Sequence, residues 1–349
     1  MVVTTRRRTL AVSIHEVAER AGVSVSTVGR AFTNPGRVSA KTREHVLAVA
    51  ADMGYQVSRS ASALKSGQSK RFALLMNETL TSWFNASVLS GINSVLQPEG
   101  YDISFYERID AVDTRHRFFD TLPLRRNADA VIVASFAIDP HEVEQLRTLH
   151  VPIIGINVPS TEGFDGSISI DDREGMRLAA QHLIHLGHRD LVYLCSEMDD
   201  TVTLTYSTDM RLFGFEDACQ AASEPIRAQV ISLPRDREQA IESAVAQLFA
   251  LNRFPTGICC QSDGLALPLI SRLHQYGRNV PDDCSVIGFD DMVFASDFGL
   301  TTIRQHPFDM GATAAHKALT LIEGQFLPKA HETAPIQLVP RQTDTVPRH

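Results

Sequence analysis

From residue 71 onward the chain alternates short apolar runs with longer stretches of helical periodicity, and it does so in two series. The first series is 72–76, 103–106, 130–134 and 153–156; the second is 191–195, 230–233, 257–260 and 285–288. A strand that is apolar on both faces has to be covered on both faces, and helical crossovers between parallel strands supply that cover. The pattern therefore predicts doubly wound α/β structure, and two series predict two lobes, each with its own parallel sheet. Ligands of open parallel sheets lie beyond the carboxyl ends of the strands, which places the expected binding site in the cleft between the lobes.

The 70 residues before this pattern differ in charge. Residues 1–71 hold twelve Lys/Arg against four Asp/Glu, a net of +8, whereas the remainder holds 21 against 37, a net of −16. A basic head on an acidic body confines contact with a polyanion to one end of the molecule. At 349 residues, with 44% hydrophobic, the chain has room for two or three domains. Five cysteines, with no CxxC pair, argue against a disulfide framework and against a zinc site, and a reducing cytoplasm is expected. Arg6, Arg7 and Arg8 are not followed by an apolar segment, so no secretory signal is read here, and no run is long enough to span a membrane.

Within the basic head, Ser13-Ile14-His15-Glu16 has capping-box spacing, and Ile14, Val17, Ala18 and Ala21 recur at helical intervals up to Gly22. After a one-glycine turn, Ser24 can cap a second helix that turns Val28, Ala31 and Phe32 inward and leaves Val25, Ser26, Gly29 and Arg30 outward. Two short helices joined this way form a helix-turn-helix. Its second helix fits the DNA major groove, where Val25, Ser26 and Arg30 would meet base edges. A third helix starts near Ser39, buries Val46, Val49, Ala50 and Met53, and stops at Gly54-Tyr55.

The run from Ile14 through Val28, continued by Val38-Ser39-Ala40-Lys41-Thr42-Arg43 and Gly54-Tyr55, resembles the head of the lactose-repressor/galactose-repressor family. The resemblance continues in the body through Ile170-Asp171-Asp172, Arg211-Leu212-Phe213-Gly214-Phe215, Val286-Ile287-Gly288-Phe289-Asp290-Asp291 and Thr301-Thr302-Ile303-Arg304-Gln305. It implies an all-α helix-turn-helix head over residues 1–57, a hinge over 58–70, and a two-lobed sensor like the periplasmic sugar receptors over 71–343. The first lobe would comprise about 71–168 and 305–333, the second about 169–304 and 334–343, with a tail at 344–349. It also implies a homodimer on a palindromic double-stranded operator, with a small polar effector, sugar-like or alternatively a purine, nucleoside or phosphorylated sugar, held between the lobes.

Carried over by resemblance, the DNA-contacting set is Ser13, Ile14, Ser24, Val25, Ser26, Thr27, Arg30, Thr33, Arg37, Ser39, Thr42 and Tyr55, with Ser58, Ala61 and Leu64 in the hinge. The effector set is Ser82, Trp83, Phe84, Asn157, Arg211, Ser262, Asp263, Asp290 and Gln305. A planar guanidinium, carboxylates and an aromatic face suit adjacent hydroxyls on a ring. The chain departs from the family's usual residues at Gly29 (usually Ser), Val57-Ser58 (Pro-Asn), Ser82-Trp83 (Asn-Pro) and Ser262 (Asn), so effector identity is not inherited.

Other chemistries are set aside. His182, His185 and His188 sit at a helix end without a completing ligand set, so no metal is expected, and Cys259-Cys260 reads as part of a buried strand. No P-loop, GxGxxG or GxSxG occurs, so neither an enzyme nor a cofactor is expected. A pure ligand-binding receptor would need export and would have no use for the basic head.

Overall fold

The computed structural model describes residues 12–33, 35–55, 68–109, 112–121, 127–197 and 206–348. The chain divides into two compact units, residues 1–69 and 70–349.

The first unit is built from α1 (Ile14–Ala21), α2 (Val25–Thr33) and α3 (Ala40–Asp52). Ser13 and Glu16 form the reciprocal capping box that the spacing predicts. Gly22 closes α1 at φ 63°, a left-handed conformation that costs glycine nothing and lets the chain turn at once into α2. Val17, Val28, Ala31 and Val46 are fully enclosed and Ala50 nearly so, forming a small core of their own. Phe32 and Tyr55 cover one side with ring centroids 5.9 Å apart.

The second unit contains two six-stranded sheets. Strands β1 (Arg71–Met76), β2 (Asp102–Tyr106), β3 (Ala130–Ala134), β4 (Ile153–Ile156), β5 (Gly166–Ser169) and β11 (His331–Thr333) make the first, in the order β11-β5-β4-β3-β1-β2, all parallel. Strands β6 (Asp190–Ser196), β7 (Arg227–Leu233), β8 (Gly257–Cys260), β9 (Ser285–Asp290), β10 (Thr301–Arg304) and β12 (Gln337–Val339) make the second, in the order β12-β10-β9-β8-β6-β7. Only the β10–β12 pair in it is antiparallel. Among the described residues the chain crosses between lobes three times: after β5, after β10 and after β11. The eight apolar runs all fall within strands, and the central ones are buried on both faces, as crossover architecture requires.

Helices cover the sheets. In the first lobe, α4 (Trp83–Leu96) lies against α12 (Pro307–Ile322), with α5 (Val112–Thr121) and α6 (Pro140–Arg147) completing the lobe. In the second lobe, α7 (Asp172–His185) lies against α8 (Asp209–Gln220), joined by α9 (Arg237–Ala250), α10 (Asp263–Gln275) and the short α11 (Val293–Asp297). In both helix pairs glycine removes the side chain at the closest approach. Gly91 of α4 faces the Phe308 backbone and Gly311 of α12 faces that of Val88, while Gly214 of α8 faces the Arg173 carbonyl of α7.

Residues from 344 on, read from the sequence as a tail, are bonded to the second lobe. His182 pairs with Asp344 at 2.7 Å, and His188 Nε2 lies 2.8 Å from the Thr345 carbonyl. These contacts account for two of the three spaced histidines. Among the described residues no helix is long and apolar enough to cross a membrane, and all five cysteines are free thiols.

Candidate functional site

In the first unit, α2 exposes one polar face. Ser24 caps it by accepting from the Thr27 amide at 3.2 Å, and its hydroxyl lies 2.9 Å from those of both Ser26 and Thr27. Ser26 and Arg30 are exposed and Val25 and Thr27 are partly so, while Val28 and Ala31 are buried on the opposite side. At the N-termini of the other helices, Ser13 caps α1 with Ile14 half-buried behind it, and Ser39 caps α3 by accepting from the Thr42 amide at 3.2 Å. Arg37 is exposed between α2 and α3. Tyr55 is half-buried, with its amide on the Ala50 carbonyl at 2.8 Å. Thr33 ends α2, but its side chain, like the whole of Ser58, Ala61 and Leu64, lies outside the described residues. A helix with small polar groups and an arginine on its open face, flanked by capped helix ends and further basic residues, suits a groove bordered by phosphates.

In the second unit, several of the predicted effector residues converge where the two lobes meet. Arg211, in the first turn of α8, is almost wholly buried. Its Nε donates to Asp172 Oδ1 at 2.7 Å and its Nη1 to the Gln261 carbonyl at 2.5 Å. Asp290 Oδ1 stands 3.6 Å from the same Nη1, and the guanidinium lies 3.6 Å from the centre of the Phe289 ring. Asn157, at the end of β4 in the first lobe, reaches across to donate to Asp172 at 3.1 Å and to Ser207 at 2.9 Å, while its carbonyl oxygen accepts from the Ile170 amide at 3.0 Å. Gln305 donates to Asp290 at 2.7 Å, and its own oxygen Oε1 is buried without a partner. Asn157 and Asp290 hold positive φ values of 48° and 125°, conformations that L-residues keep only where their surroundings compel them.

Burial sets the electrostatics. It pushes the Asp172 carboxyl above its usual range even though Arg211 pulls the other way. Asp290 is pushed up to about 6 by burial, against the pull of Arg211 and Gln305. Burial also works against the charge on Arg211, but Asp172 and Asp290 hold the guanidinium charged. Two cavities flank the first turn of α8. One, of about 260 Å³, is lined by Asn157, Asp172, Ser207 and Met210 among others; the second, of about 400 Å³, is lined by Tyr193, Glu197, Asp209 and Gln261 among others.

The remaining predicted residues are placed differently. Asp263, first in α10, has no exposed surface: its Oδ1 accepts from Thr302 at 2.6 Å and its Oδ2 from the Met292 amide at 2.9 Å. It thereby ties α10 to β10 and to the start of α11. Ser262 precedes α10 without a side-chain cap bond. Ser82 caps α4 by accepting from the Asn85 amide at 3.4 Å, Trp83 begins that helix half-buried, and Phe84 packs on the first-lobe core. Sequence reasoning had Asp172 only as a motif member and missed Ser207 and Gln261. Gln261 contributes a backbone carbonyl, which leaves no residue signature.

Comparison with known proteins bears on both units. A model of the bacterial regulatory proteins of the lacI family matches residues 13–58, and one of the periplasmic binding protein-like domain matches 180–343. The transcriptional regulator DegA of Bacillus subtilis is 28% identical over 337 residues, 95% of this chain and 97% of that one. The regulator GalR of Escherichia coli is 27% identical over 96% of both. The head of the chain matches the lacI family, and over nearly its whole length the chain is similar to lacI-type regulators. Its structure superposes on that of the lac repressor dimer bound to operator and the anti-inducer ONPF with a TM-score of 0.81 at 26% identity, covering 96% of this chain and all of that one. The chain is a DNA-binding transcription regulator, with the helix-turn-helix in its first unit and the two-lobed, periplasmic-binding-like fold in its second.

Proposed function

We propose that this regulator is a repressor that works as a homodimer on a palindromic operator and is controlled by a small polyhydroxyl metabolite bound between the lobes of its second unit. The observation that carries the effector half is the buried Arg211–Asp172–Asp290 network at the carboxyl ends of the second sheet. There a charged fork and acceptor oxygens stand ready for adjacent hydroxyls. Asn157, Ser207 and Gln305 add polar atoms from both lobes and from the crossing after β10. Asp263 supports the site indirectly, by holding the segment that follows Asp290.

On the DNA side, Val25, Ser26 and Arg30 read base edges, and Ser13, Ile14, Ser24, Thr27, Thr33, Arg37, Ser39, Thr42 and Tyr55 engage backbone or orient those that do. Residues 58–70 are the hinge. Two copies are required because one recognition helix reads only a few base pairs, and a two-fold axis sets a pair of them about one helical turn apart. Val293, Phe294 and Phe298, on and beside α11, are 72%, 58% and 69% exposed, an apolar patch of the kind that marks an association surface. No catalytic role is proposed.

A mobility-shift assay on DNA upstream of the protein's own gene tests the first half, and a sugar panel added to the bound complex tests the second. Arg211→Ala is expected to abolish the response to the active sugar while operator affinity stays within about twofold, a change of only about 0.4 kcal/mol. A variant that still responds at the wild-type concentration would overturn the assignment of the cleft.

A further inference from the structure

Anionic ligands of α/β proteins settle at helix N-termini, where unpaired amides and the helix dipole attract negative charge. In the second lobe a negative charge already stands beside three of these places. Asp172, Asp209 and Asp263 are the first residues of α7, α8 and α10, so each helix carries a carboxylate in its first turn. All three are more than half-buried, and burial raises the pKa of each, which shows how poorly further negative charge would be tolerated there.

The one buried guanidinium of this lobe among the described residues, Arg211, is not available to offset an anion. It already faces Asp172 and Asp290, and it donates to the Gln261 carbonyl. Glu78, following β1 in the first lobe, adds a further negative charge that acts on Asp290 from across the cleft. Among the described residues the larger cavity beside α8 is lined by Glu197 and Asp209 and by no Lys or Arg, and the Arg173 that lines the smaller one is already paired with Asp217. Asp209 accepts from the Tyr206 amide at 2.8 Å, and Arg235, whose guanidinium lies 5.7 Å from the Tyr206 ring, is the cation that acts on it.

Of the buried side-chain polar atoms that lack partners among the described residues, two lie near Arg211 and Asp290, and both bear on what the ligand can be. The Tyr193 hydroxyl belongs to a side chain that lines the larger cavity and is wholly buried. The Gln305 Oε1, beside Asp290, can only accept. A hydroxyl or an ammonium group can donate to that oxygen; a phosphate dianion or a carboxylate cannot. We infer that the effector is a polyhydroxyl compound without phosphate or carboxylate, and that replacing one of its hydroxyls by an amine strengthens binding.

The inference rests on the cleft being the effector site, and the test separates the two. The full chain carries a single tryptophan, Trp83, within the second unit, so its emission reports on that unit. Inorganic phosphate, titrated into the tens of millimolar at constant ionic strength, is expected to leave that emission unchanged. A saturable phosphate response lost in Arg211→Ala would overturn the inference. Matched probes follow: glucose, glucosamine and glucose 6-phosphate, then ribose and ribose 5-phosphate. Each phosphate is expected to bind at least about tenfold more weakly than its parent, a difference of about 1.4 kcal/mol, and glucosamine at least as tightly as glucose. The double variant Glu197→Gln, Asp209→Asn is expected to lose the amine preference. A phosphate that binds better than its parent, or an amine that binds worse, overturns the proposal. Binding that keeps the stated order but is indifferent to Arg211→Ala overturns the cleft assignment instead.

Discussion

Gly214 allows α8 to lie directly on α7, and a single methyl group there tests how the Arg211–Asp172 pair is held. A Cβ at Gly214 would lie 2.9 Å from the Arg173 carbonyl carbon, closer still to its oxygen, and 3.0 Å from the Arg177 amide nitrogen. Non-bonded carbons settle at about 3.5–4.0 Å, so Gly214→Ala forces α8 away from α7 by roughly 1 Å. Arg211 lies one turn earlier on α8, and its 2.7 Å bond to Asp172, at the start of α7, would open to roughly 3.7 Å, outside hydrogen-bonding range. Overpacking of this kind costs about 1–3 kcal/mol. Breaking a buried ion pair outright costs about 3–5 kcal/mol, of which partial opening takes a share. Against this, alanine favours the helix by up to about 1 kcal/mol. The expected net loss is about 2 kcal/mol in urea unfolding followed by Trp83 emission, together with a loss of about tenfold or more in effector affinity. Gly264→Ala is the control: it sits in α10 with only the Ser262 hydroxyl near, at 3.6 Å, so it should be neutral or slightly stabilising. If Gly214→Ala behaved like the control in both measurements, the close approach would not be what sets the ion pair.

Three further outcomes are expected. Burial pushes the Asp263 carboxyl up to about 8, above its unfolded value, so the folded chain holds that proton where the unfolded chain has lost it, and stability falls as pH rises toward 8. Melting at pH 6.5 and pH 8 should differ by up to about 2 kcal/mol in wild type and by little in Asp263→Asn; an unchanged slope in the variant would refute the assignment. Arg30→Ala should weaken specific operator binding by about 1–3 kcal/mol in fluorescence anisotropy and relax preference at one base position, whereas equal loss on unrelated DNA would reduce Arg30 to a phosphate contact. Leu64→Ala should reduce operator bending in a circular-permutation assay and leave the effector affinity of the free protein unchanged; unaltered bending would make the hinge a passive linker.

The parts of the fold legible in the sequence are those whose burial is written as an apolar run. All eight runs became strands, but β5, β10, β11 and β12 carried no such signal, because their polar residues are satisfied by partners distant in sequence. Ser167 of β5 bonds His331 of β11 across 164 residues, and Thr302 of β10 bonds Asp263 of α10. The head was legible almost residue by residue, since caps, turn glycine and periodicity are all local. The cleft was legible in part: Arg211, Asp290, Asn157 and Gln305 come together, whereas Asp263, chemically indistinguishable in sequence from Asp290, is enclosed by donors contributed by β10 and by the start of α11. Which aspartate pairs with Arg211 and which with a threonine is decided by packing between elements, and no local pattern encodes it.

The same cleft residues also hold the segments that cross between the lobes. Asn157 accepts from the amide of Ile170, in the crossing after β5, and Gln305, in the crossing after β10, is bonded to Asp290. A further bridge pairs Phe136, following β3 in the first lobe, with Tyr206, which precedes α8 in the second. The helix pairs within each lobe are locked by glycine-mediated backbone approach, so each lobe moves as a body, and relative motion has to be taken up at the crossings. A ligand that bonds to Asn157, Arg211 and Asp290 therefore acts on the groups that set the crossing geometry, and its differential affinity for two lobe arrangements becomes a bias on the whole second unit. Removing the Gln305–Asp290 bond while sparing the Arg211 network should loosen that coupling without emptying the site. Gln305→Leu is thus expected to keep measurable effector binding by Trp83 emission but to release operator less completely at saturation. A variant that binds and releases as wild type does would show that the crossing after β10 carries none of the signal.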